Sequence, residues 1–106
     1  MADQPSMMEM MKQARDLQKK MGKVQKKVAK TEITATAGGG MVTVVMNGKL
    51  EVRRVTIEPS LVTDGDVRMI QDLITSAVNA AIQKAQDMMA EEMKQATGGM
   101  NIPGLF

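Results

Sequence analysis

The stretch that most limits what this chain can fold into is Ser6 to Lys30, SMMEMMKQARDLQKKMGKVQKKVAK. Apolar residues recur at Met7, Met10, Ala14, Leu17, Met21, Val24 and Val28. An unbroken 3-4 alternation of this kind is the narrow seam of a helix that packs on another helix. Ser6 with Glu9 three residues on reads as a capping box at its start. Gly22 is a weak point, costing ~1 kcal/mol against alanine in a helix interior, but it falls on the outer face. At 1.5 Å per residue the straight helix is roughly 37 Å long.

Outside the seam the helix is mostly cationic: Lys12, Arg15, Lys19, Lys20, Lys23, Lys26, Lys27 and Lys30, opposed by Glu9 and Asp16. Residues 1–30 hold eight Lys/Arg and three Asp/Glu, a net +5; residues 31–106 hold six and nine, a net −3. The overall charge of +2 therefore hides a positive helix on a mildly acidic body. That is the electrostatic footprint of a polyanion binder, and the plainer alternative is a solvated coiled-coil face. In heptad terms Lys12, Lys19 and Lys26 share one line, Lys20 and Lys27 the next, and Lys23 and Lys30 another outward line. Such a face can run beside a DNA backbone, whose helical turn is about as long. It lacks the Asn, Gln or Arg cluster of a specific base reader.

The 106 residues make one domain. Thirteen Met, one Phe and no Trp or Tyr would give it an unusual core. Aromatic side chains supply much of the buried area of ordinary cores, so the shortfall points to self-association. The absence of Cys and His removes disulfides, thiolate zinc sites and the commonest general base and metal ligand. No signal peptide or membrane-length apolar run is visible, which leads to the expectation of a soluble cytoplasmic protein.

Residues 1–5 read as a disordered lead-in. Thr31 to Ala37 has the β-branched enrichment of a strand, and Gly38-Gly39-Gly40 is a turn. Met41 to Met46 is apolar at nearly every position, the mark of a central strand covered on both faces. Asn47-Gly48 signals a type I′ hairpin. Lys49 to Glu58 is a third strand whose apolar phase slips at Arg53-Arg54, where a β-bulge is expected. Pro59 ends it, and Ser60 to Gly65 is a loop or short turn. Asp66 caps a second long helix, Val67 to Ala96, with a broader apolar stripe suited to a sheet as well as a helix. Gly98-Gly99 stops that helix, and residues 98–106 form a flexible tail with the only aromatic. The order is α-β-β-β-α, an α+β fold with a three-stranded antiparallel meander. Two helices cover only part of such a sheet, and pairing two copies completes the burial.

Arg53 and Arg54 read first as ion-paired with Glu51, Glu58 or a helix carboxylate; the alternative is contact with phosphate or a narrow minor groove. The methionines sit mostly at core spacing rather than as a soft-metal site, with Met8 and Met11 outside the strict seam. Gly38-Gly39-Gly40 lacks the framework of a phosphate-binding loop. Ser6, Ser60 and Ser76 have no His to activate them. No catalytic constellation, cofactor site, metal site or small-molecule substrate emerges, and a non-enzyme is expected.

Three segments together resemble the YbaB/EbfC family of bacterial nucleoid-associated proteins. They are Met11-Lys12-Gln13-Ala14 with Gln18-Lys19-Lys20-Met21; Gly40 to Val44 with Asn47-Gly48 and Val55 to Leu61; and Asp72-Leu73-Ile74 with Ala77 to Ala81, closing with Gly99-Met100 and Pro103-Gly104. No single motif is specific, but the ordered set covers nearly the whole chain. The resemblance implies a tweezer-like α-β-β-β-α homodimer of the nucleoid, binding double-stranded DNA with broad sequence tolerance in nucleoid organisation or gene regulation. It implies the helices as the contact region but no individual contacts. The residues expected to meet DNA, from charge, are Lys12, Arg15, Lys19, Lys20, Lys23, Lys26, Lys27 and Lys30, with Arg53 and Arg54 as a second set. The competing expectation is a homodimeric protein-interaction scaffold with no direct nucleic-acid role.

Overall fold

The computed structural model describes residues 6–98; the lead-in and the tail beyond Gly98 lie outside the described residues. The elements are α1 (Met7–Lys30), β1 (Glu32–Ala37), β2 (Val42–Asn47), β3 (Val52–Ile57), a short α2 (Pro59–Thr63) and α3 (Val67–Ala96). The α-β-β-β-α order is thus present, and the segment expected as a loop or turn is one helical turn with Pro59 at its start. Proline suits that position because its missing N–H is one that a helix start leaves unbonded anyway. Both long helices are capped as their sequences dictate. Ser6 Oγ accepts from Glu9 N–H at 3.2 Å, and Asp66 Oδ1 from Met69 N–H at 3.0 Å.

The sheet is an antiparallel meander in the order β1-β2-β3. Val45 pairs with Arg54 but Met46 with Val52, so Arg53 is the extra residue of a bulge. The bulge lies where the apolar phase slips, and it brings Val52 and Val55 onto one face with Met46 and Val44. On that face α3 packs over β1 and β2. Its deepest positions are Ala77, Ala81 and Ala85, which together with Ala35, Val42, Val44, Met46 and Leu61 make the core. Small residues spaced by four let the helix lie close on the strands, where a longer side chain would hold it off. Lys84 Nζ donates to the Thr34 carbonyl oxygen at 3.0 Å and occupies one acceptor on the free edge of β1.

Three details depart from the sequence reading. β2 is central, but its buried residues are Val42, Val44 and Met46 on the α3 side and Asn47 at its end, while Thr43 and Val45 on the other face are half-covered. Val52 and Val55 remain 45% and 43% exposed because α3 packs over β1 and β2 rather than β3, and Leu50, in the hairpin loop beside α3, is 44% exposed. The methionine seam is likewise buried only where α1 overlaps α3: Val28 is fully covered, Leu17, Met21 and Val24 partly, and Met7, Met8, Met10 and Met11 stand exposed. The chain is accordingly 74 Å long but only 21 by 16 Å across.

The third departure is the hairpin turn, which is not type I′. That turn needs positive φ at both central residues, whereas here the left-handed residue is Leu50, at φ 64°. Asn47 still belongs to β2, its N–H bonding the Glu51 carbonyl at 3.0 Å, and the loop is Gly48-Lys49-Leu50. The buried Asn47 side chain holds that loop. Its Oδ1 accepts from Lys49 and Glu51 N–H at 2.9 and 3.1 Å, and its Nδ2 donates to Glu51 Oε1 at 2.9 Å. Gly48 serves a different purpose. Its N–H donates to the Val28 carbonyl at 3.0 Å, and a Cβ there would overlap that carbonyl and the Val28 side chain. The last turn of α1 therefore rests directly on the hairpin backbone. Gly48→Ala is expected to lower the unfolding free energy by about 2–4 kcal/mol, at or above the usual range for overpacking, because the obstructing atoms are backbone. Urea denaturation checks this, and an unchanged midpoint would contradict the contact.

Candidate nucleic-acid interface

At 100° per residue, the seven seam positions of α1 fall on one side of the helix and most of its cations on the other. Lys12, Arg15, Lys19, Lys23, Lys26 and Lys30 fall within a sector of roughly 80° opposite the seam. Because the seam is turned to α3, this sector is turned to solvent, and all six residues are exposed. Among the described residues none of the six makes an ion pair. The helix end is basic as well, with Lys27 and Lys30 in its last turn, where the helix dipole is negative and cations are favoured.

Lys20 and Lys27 leave the stripe toward α3. Lys27 Nζ lies 3.2 Å from Glu92 Oε2, and Lys20 borders a cleft with Asp16 and the end of α3 at Thr97 and Gly98. The Lys27 charge is thus partly engaged with α3, whereas Lys20 makes no ion pair among the described residues. Arg53 and Arg54 point outward from the bulge and share a single carboxylate. Arg53 Nε is 3.8 Å from Glu32 Oε2, and Arg54 Nη2 is 3.5 Å from Glu32 Oε1. The ion pair expected for them is present, but with a partner on β1 rather than Glu51, Glu58 or a helix carboxylate. The antiparallel register across β2 brings Glu32 there, a non-local consequence that no local spacing encodes.

The structure also gathers residues that the sequence reading kept apart. An open cleft of about 840 Å³ lies between α1 and the β2–β3 hairpin, walled by Lys26 and Lys30 on one side and Lys49 and Arg53 on the other. Glu51 and Gly22 also border it. Lys49 was not among the expected contacts; its only signal was its place beside Asn47-Gly48. Among the described residues no group of three or more His, Cys, Asp or Glu side chains is gathered as a metal site. No helix among them is long and apolar enough to cross a membrane.

Fold and surface together define a small α+β protein whose prominent chemistry is a long positive helix face. Comparison with known proteins gives that description a family. The model of the YbaB/EbfC DNA-binding family matches residues 3–100, and the chain belongs to that family. It is similar to a nucleoid-associated protein of Alkaliphilus metalliredigens, 49% identical over 106 residues, spanning all of this chain and 93% of that one. A nucleoid-associated protein of Clostridium novyi is 50% identical over 97 residues, covering 92% of this chain and 85% of its own. A crystal structure of an uncharacterized Helicobacter pylori protein superposes with a TM-score of 0.77 at 23% identity, over 90% of this chain and all of that one, which supports the fold. The family is one of DNA-binding proteins, not enzymes.

The Glu32 pairs are exposed, with side chains 44–61% accessible, and solvent screens them. Replacing Glu32 by Gln is expected to change the unfolding free energy by less than about 1 kcal/mol. A larger loss in thermal or urea unfolding would show that the arginines are structural clamps rather than available cations.

Proposed function

We propose that residues 1–106 act as one domain of a homodimeric nucleoid-associated protein that binds double-stranded DNA. The observation that carries this reading is the separation of chemistry on α1, with the packing seam on one side and, on the other, six cations that make no ion pair among the described residues. Contact is mainly with the phosphate backbone, since lysine meets phosphate as a point charge and carries no sequence information there. Specificity is accordingly low, and the role is in nucleoid organisation and gene regulation in the cytoplasm. The relatives' description as nucleoid-associated supports the same assignment. No cofactor, membrane or small-molecule substrate enters it.

The dimer is supported by what one chain leaves uncovered. The radius of gyration is 20.3 Å, against about 13 Å for a compact chain of this length. The accessible surface is 7926 Å², against roughly 5,800 Å² for a globular monomer of this mass. The excess includes Leu50 in the hairpin loop, Val52 and Val55 on β3 and the methionines at the start of α1. A second copy covers these faces and sets two basic helices as the arms of a clamp. Sedimentation is expected to give twice the chain mass of 11.5 kDa; a stable monomer at micromolar concentration would contradict the dimer.

With one arm of the clamp seated, the six phosphates neutralised by its stripe would give a log–log salt slope of about −5. Between 50 and 200 mM salt, affinity for a 30-base-pair duplex is then expected to fall about a thousandfold, with little difference between unrelated sequences. Replacing Lys19, Lys23 and Lys26 together by Glu is expected to weaken binding at least about a hundredfold and to lower the slope by about three. Unchanged duplex affinity in an intact dimer would show that the stripe is not the contact surface. No duplex binding by the pure protein even at low salt, with protein partners retained after nuclease treatment, would favour the scaffold reading instead.

A further inference from the structure

We propose that the cleft between α1 and the β2–β3 hairpin is a seat for the sugar–phosphate backbone of DNA, in which Lys49 and Arg53 grip a strand from the side opposite Lys26 and Lys30. The proposal rests on the DNA-binding reading and says where on the molecule a strand is held most closely.

Three observations carry it. First, two segments far apart in sequence converge on one open cleft with four cations and one carboxylate, Glu51. That carboxylate is tied to the turn by the Asn47 amide at 2.9 Å, and four cations against one carboxylate leave the cleft positive. A volume of about 840 Å³ is in the range of pockets that hold whole small molecules, so a sugar–phosphate unit fits. Second, Gly22 lies in the interior of α1 and borders this cleft. Glycine is disfavoured in a helix interior, and a Cβ at Gly22 would meet nothing within 4 Å. Packing among the described residues gives no reason for it, whereas a strand lying against the bare helix backbone does. Third, Arg53 is held by Glu32 at 3.8 Å, longer than a hydrogen bond. A phosphate can take a forked pair of guanidinium hydrogen bonds while Arg54 keeps its contact with Glu32.

Fluorescence anisotropy of the full chain with a labelled 30-base-pair duplex tests this. Lys49→Ala and Arg53→Ala are each expected to weaken binding about tenfold and to lower the salt slope by about one. Gly22→Leu is expected to weaken it about tenfold by filling the seat, with thermal unfolding confirming that the fold and dimer persist. Glu32→Gln is expected to strengthen binding more than Glu58→Gln, which makes the same charge change at the far end of β3. If the cleft variants bind like the parent while Lys12→Ala and Lys19→Ala weaken binding, the seat is refuted and the stripe stands. If the parent chain binds no duplex, the DNA reading falls with it. ATP is the probe for a free nucleotide: tight ATP binding abolished by Arg53→Ala would overturn a backbone seat in favour of a nucleotide site.

Discussion

The last turn of α1 is anchored to the sheet by one backbone hydrogen bond, from Gly48 N–H to the Val28 carbonyl at 3.0 Å. Only glycine at position 48 allows the two backbones to come so close. The contact seals Val28 completely and fixes where the helix leaves the sheet. From there α1 runs antiparallel to the end of α3 and past it, so its first turns stand exposed among the described residues. The position of every α1 cation relative to the sheet follows from that anchor. So does the cleft, because the hairpin that receives the helix end also carries Lys49 and Arg53 alongside it.

The rest of the architecture keeps this arm projecting from the body. Three alanines seat α3 closely on β1 and β2, which secures the sheet with one helix and leaves β3 and the α1 tip for another partner. The core contains a single fully buried methionine, Met46, and no aromatic side chain among the described residues. A body this slim gains from association, since apolar area left open in one copy is removed from water in two. In the proposed dimer, the packing seam and the cationic stripe lie on opposite sides of the same helix, so pairing through one would leave the other open.

Much of this was legible in the sequence. Ser6 and Asp66 announced the helix starts, the 3-4 seam announced a helix partner, and the phase slip at Arg53-Arg54 marked the bulge. Those signals are local and periodic. What stayed hidden depends on contacts between distant segments. Asn47-Gly48 suggested a type I′ turn, but the glycine is needed for the approach of Val28 and the positive φ moved to Leu50. The apolar run of β2 suggested two covered faces because sequence does not show how many chains supply the cover. Glu32 as the arginine partner and Lys49 as a wall of the cleft both follow from the register across β2 and from the docking of α1, neither of which has a local signature. The spacing of the cations was readable, but the pairing of Lys27 with Glu92 that separates it from the stripe was not.

The most direct test of the central claim is an NMR titration of the isotope-labelled protein with a short DNA duplex at low salt. The account predicts amide perturbations along α1 from Lys12 to Lys30 and in the hairpin from Gly48 to Arg53, with the middle of α3 unmoved. Perturbations confined to α3 or to the α2–α3 segment, with α1 silent, would show that DNA is held elsewhere and that the basic helix is only a solvated face.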